Sequence, residues 1–190
     1  MNFSDTDYEA AAARLGIPAD AIKAVAEVEA GGATHWNIAG VLRPPVRLEA
    51  HWFGKLTGYR FNDSHPAISC TRWTPGLAAS TWAGAWAQVE AARALDEDAA
   101  LQATSWGAFQ IMGFHFKTLG YASVQEMVAA MDTAGGQLDA FVRFVEADPV
   151  LVDALRRQDW HAFAGRYNGP GQVDHYAGRI AQAYTRHGGE

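Results

Sequence analysis

Glu29 is the residue of this chain best placed to move a proton. Between Ala21 and Gly32, the residues Ile22, Val25 and Glu29 recur at i, i+3 and i+7. On a helix that spacing gathers them on one face. Two of the three are apolar, so the face turns inward and sets Glu29 against a hydrophobic wall. Gly31 and Gly32 follow at once and end the helix. Glu29 then falls in the last turn, near the negative end of the helix dipole. Desolvation and the dipole both disfavour an ionised carboxylate and push its pKa up, which is the condition a general acid must meet near neutral pH. Glu27, two positions earlier, points elsewhere and reads as an ordinary solvated carboxylate. Taken alone, a glutamate at a helix end is more often a cap or an ion-pair partner than a catalyst.

Two further segments shift that balance. One is Ser105-Trp106-Gly107-Ala108-Phe109-Gln110-Ile111-Met112; the other is Tyr167-Asn168-Gly169-Pro170-Gly171. Other chemistries find less support. The seven histidines show no paired metal-ligand spacing, so no metal and no cofactor are expected. Cys70 is the only cysteine, which excludes an internal disulfide framework. Ser105 lies outside any Gly-x-Ser-x-Gly elbow, and a serine-hydrolase reading fails.

The elements that must position these residues are mostly helical. Ser4 or Asp5 caps a first helix that Gly16 closes, and Pro18 opens the helix that carries Glu29. Val41 to Leu48 reads as a small extended ribbon kept short by Pro44 and Pro45, followed by a short helix from Glu49 to Leu56. Tyr59 to Pro75 is a long irregular loop of the kind that is often functional. From Ala79 onward the pattern is helical almost throughout, with Trp82, Trp86, Val89 and Arg93 on one stripe. Ser123, Asp148 and Asp159 start later helices, and Leu138, Phe141, Val142 and Val145 give a clear core stripe. The expectation is an all-α or mainly α fold of about eight to ten short helices with at most a small β ribbon. A single domain over residues 1–190, without a separate binding domain, is expected.

Composition narrows the partners. Hydrophobic residues make up 49% and charged ones 19% of 190 residues, enough for one sizeable core. The formal net charge of -6 disfavours nucleic acid and anionic membrane. No stretch suits a bilayer span or a secretory leader, so membrane insertion is not expected and a monomer is. Aromatic residues make up 12%, including seven tryptophans. That suits the lining of a sugar cleft, because sugar C–H faces stack on aromatic rings. Trp36, Tyr59 and Trp73 lie in irregular, polar surroundings and are the cleft candidates. Trp82 and Trp86 read as core.

The three segments in this order resemble the lysozyme superfamily, in particular goose-type lysozymes and soluble lytic transglycosylases. Those enzymes carry a helix-terminal Glu, a Gly-x-x-Gln-[Ile/Met]-Met segment and a later Tyr-Asn segment ending in Gly-Pro. The chain is most similar to the N-acetylmuramidase domain of phage endolysins, through Glu29-Ala30-Gly31-Gly32, Leu48-Glu49-Ala50-His51-Trp52-Phe53, Trp106 to Gly113, and Tyr167-Asn168-Gly169. The resemblance runs from about Ala21 to Tyr184 and implies a lysozyme-like multi-helix domain. It implies Glu29 as catalytic acid, Gln110 and Met112 lining the sugar cleft, and Tyr167 and Asn168 closing its far wall. Trp73 joins the substrate-binding set as an aromatic candidate. The substrate implied is peptidoglycan, cut between N-acetylmuramic acid and N-acetylglucosamine. An enzyme of this kind would be made in the host bacterial cytoplasm and released to the wall through a pore.

Glycoside hydrolysis usually needs a second carboxylate. Glu49 is the first candidate and Asp63 the second; otherwise the substrate's own acetamido group fills the role. An ion pair of Glu49 with Arg43 or Arg47 is the competing structural reading. Two departures from the transglycosylase pattern, Glu-Ala-Gly-Gly and Tyr-Asn-Gly-Pro, favour the muramidase. A lytic transglycosylase, a chitinase, a glycan-binding module and a purely structural helical protein remain the alternatives.

Overall fold

A computed structural model describes residues 2–189; Met1 and Glu190, the outermost residues of the expected single domain, lie outside them. In chain order the elements are α1 (Asp5–Leu15), α2 (Ala19–Ala30), β1 (Trp36–Ile38), β2 (Val41–Arg43), β3 (Val46–Leu48), α3 (Ala50–Leu56), α4 (Trp82–Leu95), α5 (Glu97–Gln102), β4 (Thr104–Trp106), β5 (Ile111–Met112), α6 (Val124–Ala130), α7 (Ala134–Glu146), α8 (Pro149–Arg156), α9 (Trp160–Tyr167) and α10 (Val173–Arg186). The helical expectation holds, at ten helices among the described residues. The chain divides into two compact units. Residues 1–34 join 133–190 in one, and residues 35–132 form the other.

The first unit is all-helical and built around α2. Ser4 caps α1 through a reciprocal box, its hydroxyl accepting from the Asp7 N–H while Asp7 accepts from the Ser4 N–H. Gly16, at φ 65°, closes that helix. Pro18 stands at the N-cap of α2, one position before the first helical residue. Ala21, Ile22, Ala24, Val25 and Ala26 are all fully buried, and both α1 and α10 pack against α2. The stripe of Leu138, Phe141, Val142 and Val145 on α7 is buried as its spacing requires. Arg14 of α1 pairs with Asp139 and Glu146 of α7. The buried Gln137 amide donates to the Thr34 carbonyl at 2.8 Å, fixing the segment that leaves α2.

The second unit holds two small antiparallel sheets, β1–β2 and β3–β4–β5. The expected ribbon from Val41 to Leu48 is therefore split. Pro44 and Pro45 have no N–H to give a ladder, so the chain changes sheet at the prolines. Val41–Arg43 pairs back onto Trp36–Ile38, and Val46–Leu48 pairs with Thr104–Trp106. The Ser105–Met112 segment, read from sequence as part of a helical region, forms the β4–β5 hairpin. Its turn uses left-handed backbone at Gly107 (φ 74°) and Gln110 (φ 50°), and a mostly apolar run of eight residues carries no period that separates strand from helix. Trp106 is buried and its indole N–H donates to the Leu101 carbonyl at 3.0 Å.

No helix or strand interrupts residues 57–81, as the irregular loop required. That loop is nonetheless tied down. Ser69 donates to Asn62 at 2.7 Å, and Gln88 of α4 donates to the Leu77 carbonyl at 2.7 Å. The backbone at Cys70 lies directly over Gly54 of α3, where a methyl group would overlap the Cys70 carbonyl oxygen. Gly54→Ala must push the loop off α3, and overpacking of this kind costs about 1–3 kcal/mol. The expected result is a thermal midpoint lowered by several degrees, read by calorimetry. An unchanged midpoint would mean the loop is not held there.

Candidate active site

Glu29 occupies the penultimate position of α2, and the turn beyond it is shaped by Gly31 and Gly32, both with positive φ. Ile22 and Val25, which share its face, are fully buried, while Glu29 itself is half-buried. Its side chain thus emerges from the apolar wall that the spacing anticipates. Asn168, the C-cap of α9, donates its Nδ2 hydrogen to Glu29 Oε1 at 2.8 Å. Tyr167 stands one residue earlier. Its ring stacks on Phe163 at 5.0 Å and meets Phe144 edge-on at 5.4 Å. Burial first, and then the negative charge of Glu29, push the Tyr167 hydroxyl well above its usual pKa. It therefore stays a neutral phenol beside the carboxyl. Arg179 of α10 donates to the Val28 carbonyl at 3.3 Å and satisfies one of the open carbonyls at the end of α2. Glu29, Tyr167 and Asn168 are thus brought together within one unit.

Glu27 departs from its expected role. It is paired with Arg186 and His187 of the last helix and its cap rather than solvated. The Arg186 guanidinium holds its carboxyl below the usual range. Its only free neighbour would have been water had α10 ended a turn earlier, and no local signal near Glu27 reveals that.

The other unit carries the second group of candidates. Glu49 is the N-cap of α3 but makes no side-chain capping bond. Its carboxylate instead faces Arg47 Nε at 3.2 Å and His51 Nδ1 at 3.6 Å. Arg43, the other suggested partner, pairs with Glu90. Arg47 lies on β3, Glu49 at the N-cap of α3 and His51 within α3, so the cluster forms where the strand passes into the helix. Desolvation raises the Glu49 pKa, and the charges of Arg47 and His51 offset it only in part. A narrow cavity of about 30 Å³ opens beside it, lined by Glu49, His51, Cys70, Trp73 and Thr74 among others. That volume suits roughly one water molecule. Trp73, 53% exposed, is thereby brought to Glu49.

Gln110 and Met112 lie on the β4–β5 hairpin. The Gln110 amide is bonded within that hairpin: Ser105 Oγ donates to its Oε1 at 2.9 Å, and its Nε2 donates to the Gly107 carbonyl at 2.9 Å. Its first task is to hold the turn. Asp63 is exposed on the loop. Trp82, expected in the core, is 53% exposed and stacked on Trp36, because it is the first residue of α4 and its stripe begins inside the protein only one turn later. Trp86 is half-buried, with its indole N–H donating to the Pro44 carbonyl. Among the described residues no group of three or more His, Cys, Asp or Glu is arranged to hold a metal ion.

A family model described as N-acetylmuramidase matches residues 18–188, across both units. Among solved structures, the crystal structure of the Burkholderia AP3 phage endolysin is similar, at 38% sequence identity and a TM-score of 0.82, covering 98% of this chain and 71% of that one. No curated protein sequence matches the chain.

The Glu49 environment predicts a pH-dependent stability. A carboxyl whose folded pKa is raised favours the fold below its unfolded pKa and loses that contribution as pH rises through the folded value. Ionised Glu49 therefore costs stability at neutral pH, and Glu49→Gln should raise the thermal midpoint at pH 7 by up to about 3 °C. The gain should vanish as pH falls below the ordinary carboxylate range. A lower midpoint at pH 7 would show instead that the Arg47 pair outweighs desolvation.

Proposed function

Since this chain belongs to the N-acetylmuramidase family, we propose that Glu29 is the proton donor of the reaction by which it cuts glycan. The chain is a glycoside hydrolase that acts on peptidoglycan and lyses the bacterial cell wall. The observation that carries the Glu29 assignment is its carboxyl at a helix end, against an apolar face, with one oxygen fixed by the Asn168 amide.

When the glycosidic bond breaks, the departing oxygen needs a proton and positive charge gathers at the anomeric carbon. The Asn168 N–H holds Glu29 Oε1 and so orients the carboxyl that delivers the proton. Tyr167, held neutral, adds no second negative charge beside the acid. Water then bonds to the anomeric carbon, and its proton passes to a base. We assign that base to Glu49, whose raised pKa makes it a stronger proton acceptor than an ordinary carboxylate. Solvent returns the proton to Glu29 and removes the one on Glu49. Trp73 offers a flat face for a sugar ring, while Gln110 and Met112 shape the hairpin end of the substrate surface. The bond cut is the one between N-acetylmuramic acid and N-acetylglucosamine. No described helix is long and apolar enough to cross a membrane. We further propose that it is made in the host bacterial cytoplasm, acts as a monomer and is released to the wall through a separate pore; likeness to a phage endolysin supports action on the wall.

Glu29→Gln keeps the shape but has no acidic proton. It should slow clearing of peptidoglycan by about 10²–10⁴-fold or more, with an unchanged circular dichroism spectrum; retained activity would remove Glu29 from the mechanism. Asn168→Ala frees the carboxyl and should cost about tenfold in kcat, while rates equal to wild type would make the amide contact incidental. Mass spectrometry of the digest should find free reducing N-acetylmuramic acid ends. Predominantly 1,6-anhydro ends would identify a transglycosylase, and reducing N-acetylglucosamine ends would place the cut at the other bond.

A further inference from the structure

The second unit carries a groove that none of the proposed catalytic or substrate-binding residues lines. Its floor is the indole of Trp82, stacked on Trp36 with ring centroids 5.5 Å apart and planes within 7°. One wall is the β1–β2 hairpin, through Asn37, Ile38 and Ala39; the other is the start of α4, through Ser80 and Thr81. The space measures about 460 Å³, within the range of sites for small molecules.

Three observations fix the chemistry. First, the platform is rigid. Asn37 Oδ1 accepts from the Gly40 N–H at 2.9 Å and locks the hairpin turn, and Thr81 Oγ1 accepts from the Gly84 N–H at 3.1 Å and caps α4. Secondly, Trp82 leaves 53% of its surface open although a partner ring supports it from behind. A supported indole with an open face suits a flat apolar surface such as the C–H side of a pyranose ring. Thirdly, no lining residue is charged, in a chain of net charge -6. Nucleic acid or anionic lipid would call for cations at such a place, whereas the backbone of an N-acetylated glycan is neutral. Ser80, Thr81 and Asn37 are the polar residues of the lining, able to bond the acetamido and hydroxyl groups of a sugar.

We propose that this Trp82 groove is a binding site for an N-acetylated amino-sugar segment of the glycan strand, additional to the residues that carry out the cut. The inference rests on the reading of the chain as a glycan-acting enzyme. Its role is to hold the insoluble strand to the enzyme between cuts.

The test uses full-length Glu29→Gln protein, so that the strand stays intact, and co-sedimentation with purified peptidoglycan. Adding Trp82→Ala should weaken retention by about tenfold, and Trp82→Tyr should restore most of it. Because Trp82→Ala also strips a partner from Trp36, Ala83→Gln serves as a second variant. It fills the groove from an exposed helical position while leaving both rings of the pair in place and should weaken retention to a similar degree. In solution, titration with N,N′,N″-triacetylchitotriose should shift the Trp82 indole N–H resonance, and Ala83→Gln should suppress that shift. Undiminished retention by both Trp82→Ala and Ala83→Gln overturns the proposal, as does a Trp82 resonance indifferent to the sugar. Failure of the wild-type chain to cleave peptidoglycan would be a separate result, against the enzymatic reading itself.

Discussion

The burial of α2 on nearly every side is the constraint from which the rest of the first unit follows. A helix with Ala21, Ile22, Ala24, Val25 and Ala26 all fully buried leaves only a narrow strip for polar groups along its length, where Lys23 and Glu27 form ion pairs. The other place it can present them is its end. The turn at Gly31 and Gly32 makes that end abrupt, and Glu29 is left there with its backbone fixed and its carboxyl at the margin of the core. α1 and α10 exist, structurally, to enclose this helix. α9 has a different task, since its C-terminal cap brings the amide that orients the carboxyl. Precision at Glu29 is therefore inherited from packing, through a short rigid lever.

The two carboxylates singled out for chemistry are handled in opposite ways. Glu29 receives a neutral hydrogen-bond donor, the Asn168 amide, and has a neutral phenol, Tyr167, beside it. Glu49 receives cationic neighbours, Arg47 and His51, yet desolvation outweighs both. Its ion pair is thus a weak source of stability, in line with the general cost of taking charges out of water. In the proposed roles, an acid and a base drawn from the same side-chain type need different surroundings, and those of Glu29 and Glu49 differ in this way.

Legibility in the sequence followed the reach of each signal. Caps at Ser4, Asp96, Ser123, Asp148 and Asp159 are local chemistry and were readable, as were the stripe on α7 and the stop after Glu29. Asn168 was reached through its resemblance to a known segment; no spacing could have paired it with a residue 139 positions away. The β4–β5 hairpin was hidden because strands of two and three residues are too short to show a period. Gln110 is a further case: the resemblance implied a place lining the sugar cleft, and its positive φ and bonds within the turn, which no spacing reveals, show that it also holds the hairpin. Glu27 was misread because its partners belong to the far end of the chain.

The first unit is discontinuous in sequence, made of residues 1–34 and 133–190, whereas residues 35–132 form a continuous unit. On a ribosome the continuous unit can close as it emerges, while α1 and α2 must wait for helices not yet made. Joining segments so far apart also carries a loop-closure penalty before any contact offsets it. Asn168 and α10 follow the continuous unit in the chain. The orientation of Glu29 accordingly waits for that later segment, so a chain that stops short of it leaves the carboxyl unaimed. For an enzyme that lyses the bacterial cell wall, this order of assembly delays competence until both segments of the first unit have been made.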